Sequence, residues 1–249
     1  MKKLIGALEL NRIYQRDCIE GMKLIPDKSI DMILCDLPYG TTACKWDVII
    51  PFEPLWEQYE RIIKDSGAIV LTASQPFTST LVASNVKLFR HSWIWNKKAA
   101  ANIMNAKYSP LKVHEDVVVF GKKKVDYFPQ MVKGKPRIKG GHKKRDNIYG
   151  SQDAKQGVWS DEYYPKSILE FSNASRADKV HPTQKPVDLF AYLIKTYTNE
   201  GEIVLDNCMG SGTTAIASVR TNRDFIGFEL ESEYIEIANK RLDNEVLTE

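Results

Sequence analysis

The sequence lacks what a membrane-spanning or secreted protein would carry. No apolar run in its 249 residues approaches the ~18 that a membrane helix requires. The opening stretch from Met1 to Leu8 imitates a signal peptide, but Glu9, Asn11 and Arg12 interrupt it, and no small-residue cleavage site follows. The four cysteines (Cys18, Cys35, Cys44 and Cys208) form no Cys-x-x-Cys pair and have no histidine at ligand spacing. That excludes a zinc module or a disulfide framework, and it predicts reduced thiols in a cytoplasmic protein. There is no internal repeat and no low-complexity tract. Hydrophobic residues at 43% and charged residues at 27% are ordinary for a folded chain. The length suits one core, or one core with a small inserted module.

Acidic residues are scarce in one place. Between Gly121 and Arg145 ten Lys or Arg face a single acid, Asp126, so this segment carries +9 while the whole chain carries +3. The remainder is therefore net −6. A polyanion-binding surface on one module accounts for the asymmetry; a solvated basic loop fits the same charge.

The apolar pattern alternates strand and helix, as in a doubly wound α/β sheet. Strands are predicted at 30–35, 67–72, 88–95, 116–120, 203–205 and 225–228. Helices are predicted at 53–64, 76–84, 212–221 and 231–244. A further helix begins at Pro186, with Val187, Leu189, Phe190, Leu193, Ile194 and Tyr197 as its apolar stripe. From Gly121 to about Val180 the periodicity is lost, and an irregular insert is expected.

Two short motifs close apolar runs. Asp36-Leu37-Pro38-Tyr39-Gly40 follows the first predicted strand. Asp36 offers a carboxylate acceptor, and Pro38 biases Leu37 toward an extended conformation that can present its carbonyl. Two such acceptors can hold an exocyclic amino group, and Tyr39 offers an aromatic face for a base. The second motif runs from Asp206 through Asn207, Cys208 and Met209 to Gly210-Ser211-Gly212-Thr213-Thr214. Its glycines let backbone approach a ligand, and the helix that follows presents free N–H groups. Gly210 to Ala215 also fits the dinucleotide pattern Gly-x-Gly-x-x-Ala, with Glu229 placed to take ribose hydroxyls. A dinucleotide fold needs several more strands, and 20 residues remain after Glu229.

Together the motifs resemble those of the amino-methylating DNA methyltransferases, in the circularly permuted subgroup where the catalytic motif precedes the cofactor motif. Within it the sequence most resembles the solitary or restriction-linked enzymes, including prophage-carried ones. The resemblance implies a Rossmann-like, S-adenosylmethionine-dependent α/β sheet with an inserted irregular basic target-recognition module. It implies a catalytic half at 1–121, the insert at 122–179 and a cofactor-binding half at 180–249. Asp36, Leu37, Pro38 and Tyr39 would be the catalytic set. Asp17, Lys185, Asp206, Gly210, Ser211, Gly212, Thr213 and Glu229 would hold the cofactor, and His181 to Pro186 matches a motif beside its methionine end. The chain has Leu37 where the family usually has proline, and Asn207-Cys208 where it usually has Pro-Phe.

The aspartate favours adenine N6 over cytosine N4. Methylation at cytosine C5 is disfavoured, because no Pro-Cys dipeptide occurs. The stretch from Thr41 to Asp47, including Trp46, resembles the family's mobile loop over the target. In the insert, Lys122, Lys123, Lys124 and Arg137 would meet nucleic acid, as would Lys143, Lys144 and Arg145, with Tyr127, Phe128, Tyr149, Trp159, Tyr163 and Tyr164 interleaved. Arg137, Arg145 and Arg176 are candidates for reading bases. The partner implied is duplex DNA; the family also allows a homodimer and a cognate restriction nuclease, and no membrane. The alternatives are cytosine N4 methylation, an RNA or protein amino methyltransferase, and a DNA-binding protein without catalysis.

Overall fold

Apolar runs too short for helices form the centre of the fold. The computed structural model describes residues 3–42, 44, 47–141, 143–147, 150–173 and 184–247. The chain opens with a hairpin, β1 (Leu4–Ile5) and β2 (Leu8–Glu9). Next come β3 (Arg12–Gln15), β4 (Ile30–Asp36), β5 (Ile63–Ala73), β6 (Phe89–Ala101) and β7 (Lys112–Phe120). These are followed by β8 (Val132–Lys139), β9 (Arg145–Asn147), β10 (Gly150–Gln152), β11 (Val158–Tyr163) and β12 (Ile168–Glu170), then β13 (Ile203–Asp206) and β14 (Asp224–Glu229). The helices are α1 (Cys18–Met22), α2 (Phe52–Ile62), α3 (Phe77–Ser84), α4 (Val187–Tyr197), α5 (Thr213–Arg220) and α6 (Ser232–Val246).

An eight-stranded sheet has the order β12-β6-β7-β5-β4-β13-β14-β3. Only β7 runs against the rest; β5 and β6 both pair with it antiparallel, and the other neighbours are parallel. The sheet is therefore mixed. Parallel strands covered on both faces read as continuous apolar runs, and six of the seven residues of β4 are buried. Successive side chains go to opposite faces. Ile33 and Cys35 join the core beneath α1, α2 and α3, while Met32 and Leu34 join the core with α4 and Ala217 of α5. Buried Trp56, Trp93 and Trp95 satisfy their indole N–H groups on Ser84 Oγ, Tyr197 Oη and Phe171 O.

The direction of winding decides where a site forms. From β4 the chain crosses through α2 to β5 on one side; from β13 it crosses through α5 to β14 on the other. The seam between β4 and β13 is thus the point at which the winding reverses, and in open α/β sheets ligands bind at the carboxyl ends of strands at such a point. The register there is Val204 to Met32 and Leu205 to Ile33.

A second compact unit spans Pro129–Lys166. It differs from the expected insert in length and in order. In it β8 and β11 pair antiparallel with a bulge between Ser160 and Glu162, and β9 pairs with β10. Its strands are exposed on most positions, so no apolar alternation marked them in the sequence. Residues flanking it belong to the first unit: Val125 is buried there, Phe128 N–H donates to Thr196 O at 2.8 Å, and β12 pairs parallel with β6. No helix among the described residues is long and apolar enough to cross a membrane.

Candidate active site

Strand ends supply the site. Asp36 ends β4, Asp206 ends β13, Glu229 ends β14, and Asp17 follows β3. All four line one cavity of about 730 Å³, together with Tyr39, Lys97, Glu115 and Lys185. The motif after β4 and the glycine loop after β13 therefore open into the same space.

Asp36 is held from three sides. Tyr39 Oη donates to its Oδ1 at 2.7 Å, and Thr72 Oγ1 donates to the same oxygen. Lys185 Nζ donates to Oδ2 at 2.7 Å. The ring of Tyr39 stacks on Phe77 at 5.1 Å between centroids, so the hydroxyl is fixed as well as the face. Burial works against charge on Lys185, but the carboxylates of Asp36 and Glu115 outweigh it and raise its pKa. Glu115 Oε2 lies 3.5 Å from Lys185 Nζ without a hydrogen bond, and its other oxygen takes Lys97 Nζ. Two acids and two lysines from β4, β6, β7 and the segment before α4 thus alternate across the cavity wall.

Lys185 was expected on the cofactor, but its ammonium sits on Asp36. Its backbone is what meets the glycine loop, through Thr213 Oγ1 donating to Lys185 O at 3.3 Å. Leu37 is buried at the turn, and Pro38 follows it into the cavity lining. Asp47 accepts the backbone N–H groups of Gly40, Thr41 and Thr42 at 2.7–2.9 Å, which ties down the loop leaving Tyr39. Trp46 lies outside the described residues, as do Tyr149, Arg176 and His181 to Thr183.

The glycine loop is organised by carboxylates. Gly210 N–H donates to Glu229 Oε2 at 2.7 Å, and the amides of Leu230 and Glu231 donate to Oε1. Gly212 caps α5 at φ +83°, and a Cβ there would lie 2.8 Å from Ala238 Cβ on α6. Arg241 donates to Ser211 O and Oγ. Asp17 Oδ1 caps α1 by accepting from Ile19 and Glu20 N–H. Asp206 accepts from Thr214 Oγ1 and, at 3.0 Å, from Cys208 N–H.

Burial pushes the Asp206 carboxyl up to about 7. The folded protein then keeps that proton to about pH 7, whereas an unfolded chain loses it near pH ~4. Stability contributed by the neutral form is present below pH ~4 and is lost as pH rises through about 7. The ligand-free protein is expected to melt at lower temperature at about pH 8 than at about pH 5, with a smaller difference in Asp206→Asn. Identical pH slopes in thermal melts of the two proteins would remove Asp206 from this effect.

Of the basic residues, Lys122 is committed to the first unit, donating to Ile63 O at 2.7 Å and Glu60 O at 3.1 Å. Lys123 pairs with Asp65 at 2.7 Å. A charge count could not reveal these partners. Lys124, Arg137, Lys143 and Lys144 are exposed, with the Arg137 guanidinium 4.8 Å from the Tyr163 ring centroid. The side chain of Arg145 is outside what the structure describes. Sequence reasoning missed Thr72, Lys97 and Glu115. Glu115 and Thr72 sit on neighbouring strands distant in sequence from Asp36, and no local spacing links them.

Residues 30–240 match the family model described as DNA methylase. The chain is 30% identical over 251 residues to the type II methyltransferase M.HpaI of Haemophilus parainfluenzae, covering 94% of this chain and 74% of that protein. It is 28% identical to the DNA adenine methyltransferase YhdJ of Escherichia coli K12, over 94% of this chain and 83% of the relative. Among solved structures, the M1.HpyAVI–SAM complex superposes with a TM-score of 0.62 at 26% identity, covering 92% of this chain and 98% of that one.

Proposed function

The chain belongs to the N6-adenine/N4-cytosine DNA methylase family, and from that premise we propose that it moves the methyl group of S-adenosylmethionine to N6 of an adenine extruded from duplex DNA. The observation that carries the reading is the single cavity shared by Asp36 and the glycine loop.

The residues present suit this cofactor. A Cβ at Gly210 would meet nothing nearer than Cys208 O at 4.0 Å, so backbone and open space face a ligand there. Asp17 and Glu229 line the cavity, where they would take hydroxyl and amino groups, and an acid-lined cavity suits a cationic ligand. Gly210, Ser211, Gly212 and Thr213 would form the cradle, with Asp206 shaping it from below. When bound, the cofactor supplies an electrophilic methyl group on a positively charged sulfur.

The protein's own part is positioning. Asp36 Oδ1 is held by Tyr39 and Thr72, leaving Oδ2 as the acceptor that meets the target amine. Lys185 occupies Oδ2 and has a second acceptor, Glu115 Oε2, within 3.5 Å. An incoming N–H can therefore displace the ammonium from Asp36 onto Glu115 without stranding a buried charge. The Leu37 carbonyl serves as the second acceptor; being backbone, it does not need the proline found in relatives. Accepting both N–H bonds draws the nitrogen lone pair out of conjugation with the ring. The departing proton passes to Asp36 or to water.

An aspartate at the head of the motif supports adenine; cytosine N4 is the competing base on the same scaffold. The protein, methyl-labelled S-adenosylmethionine and mixed-sequence duplex DNA should yield N6-methyldeoxyadenosine in nucleoside mass spectrometry. N4-methyldeoxycytidine would overturn the base assignment. Absence of any methylated nucleoside would overturn the reaction.

A further inference from the structure

A hairpin at the rim of this cavity is ordered yet leaves its apolar side chains in solvent. Strand β6 is parallel to β4 and β13, so it leaves the sheet at the same carboxyl edge as the catalytic motif. Its Trp95 and Lys97, and Glu115 on the returning β7, line the cavity. The connection between Ala101 and Lys112 therefore projects beyond the cavity mouth. At its tip Met104 is 95% exposed, Tyr108 89% and Ile103 71%.

The tip is not loose. Asn102 adopts the left-handed conformation at φ +55°, and its Oδ1 accepts Lys112 N–H at 2.8 Å. A short turn over Ile103–Asn105 follows, closed by Asn105 N–H to Asn102 O at 2.9 Å and Tyr108 N–H to Asn105 O at 2.8 Å. The backbone's polar groups thus fix the hairpin without help from the apolar side chains. Exposing them costs hydrophobic free energy that folding would ordinarily recover. Their surroundings are cationic: Lys107 and Lys98 are exposed, Lys98 with only a 3.7 Å surface contact to Glu170, and Lys112 is half-buried, with no acid in the sequence from Asn96 to His114. Lys97 is taken by Glu115 in the cavity wall. An apolar partner of neutral surface would leave Lys107 and Lys112 without an anion. A polyanion whose interior is apolar and stacked answers both features.

We propose that this hairpin is the wedge that enters the duplex beside the target, with Met104 and Tyr108 filling the gap in the base stack while Lys98, Lys107 and Lys112 hold the flanking phosphates. Apolar side chains inserted between base steps unstack them, and an extruded base leaves a vacancy to be filled. The inference rests on the DNA-methylation reading above and adds how the target leaves the helix. Nothing in the wedge touches the cofactor or Asp36, so its loss should affect only the substrate's distortion.

The test uses the double variant Met104→Ala/Tyr108→Ala, whose side chains are exposed and whose fold should be intact by thermal melting. The modified site is first located by sequencing mixed-sequence duplex DNA methylated by the wild-type protein. Two duplexes carrying that site are then compared, one fully paired and one in which the target base faces an abasic residue. The variant should lose at least tenfold in kcat/KM on the paired duplex, and most of that loss should vanish on the abasic one. An equal loss on both duplexes, or no loss on either, would overturn the wedge while leaving the methylation reading intact. Failure of the wild-type protein to methylate duplex DNA would overturn the reading and the wedge with it.

Discussion

Asp36→Ala is expected to reduce methyl transfer by at least ~10²–10³-fold, the scale of losing one group that stabilises a transition state. Cofactor affinity should change little, because the glycine loop is organised by Glu229 and Asp206 rather than by Asp36. The substitution frees three donors, from Tyr39, Thr72 and Lys185. Lys185 retains Glu115 at 3.5 Å, so its ammonium is not left buried without an anion, and the melting temperature should fall only modestly. Asp36→Asn should be intermediate, since an amide keeps one acceptor. Isothermal titration with S-adenosylmethionine and a labelled-methyl transfer assay separate the two effects. Wild-type turnover in Asp36→Ala would remove this residue from the mechanism.

Gly212→Val is the substitution expected to damage both stability and cofactor binding most. The residue sits at φ +83°, where a β-branched side chain is strained by ~1–3 kcal/mol. Its Cβ would lie 2.8 Å from Ala238 Cβ and 3.1 Å from Ala238 Cα, a clash with α6 backbone that rotamer changes cannot relieve. Separating α5 from α6 moves the amide groups that open toward the cavity. We expect a drop of several degrees in melting temperature and at least tenfold weaker cofactor binding. Gly210→Ala is the control: space is open at that position, so stability should fall less while affinity still falls. Native melting and affinity in Gly212→Val would show that the close packing of these helices does not shape the loop.

Much of the α/β framework was readable because buried parallel strands are short apolar runs bounded by polar turns. Strands 30–35, 67–72 and 203–205 lie inside β4, β5 and β13, and the stripe from Val187 to Tyr197 is α4. Exposure explains what escaped. The β8–β11 pair carries polar or exposed residues on both faces, and β12 is three residues long on a sheet edge. The site divides in the same way. Asp36 and the loop from Asp206 to Thr213 were visible as local motifs, since each follows its own strand. The link from Lys185 through Glu115 to Lys97 was invisible, because it exists only where β6 and β7 pair, one strand beyond the β5 neighbour of the catalytic strand. Lys122 shows the converse: its charge suggested a surface role, yet two backbone carbonyls claim it.

The seam between β4 and β13 also has a meaning for synthesis. Met32 pairs with Val204, so at ~5–20 residues per second the ribosome delivers the partner strand roughly 10–30 s after β4 has emerged. Through that interval one edge of the apolar central strand keeps its N–H and C=O groups unpaired, a template for other nascent chains. Protection during this window, by chaperones or by slow production at low temperature, should raise the yield of native protein. The site itself does not exist on any nascent chain until Glu229, which holds the glycine loop, is free of the exit tunnel.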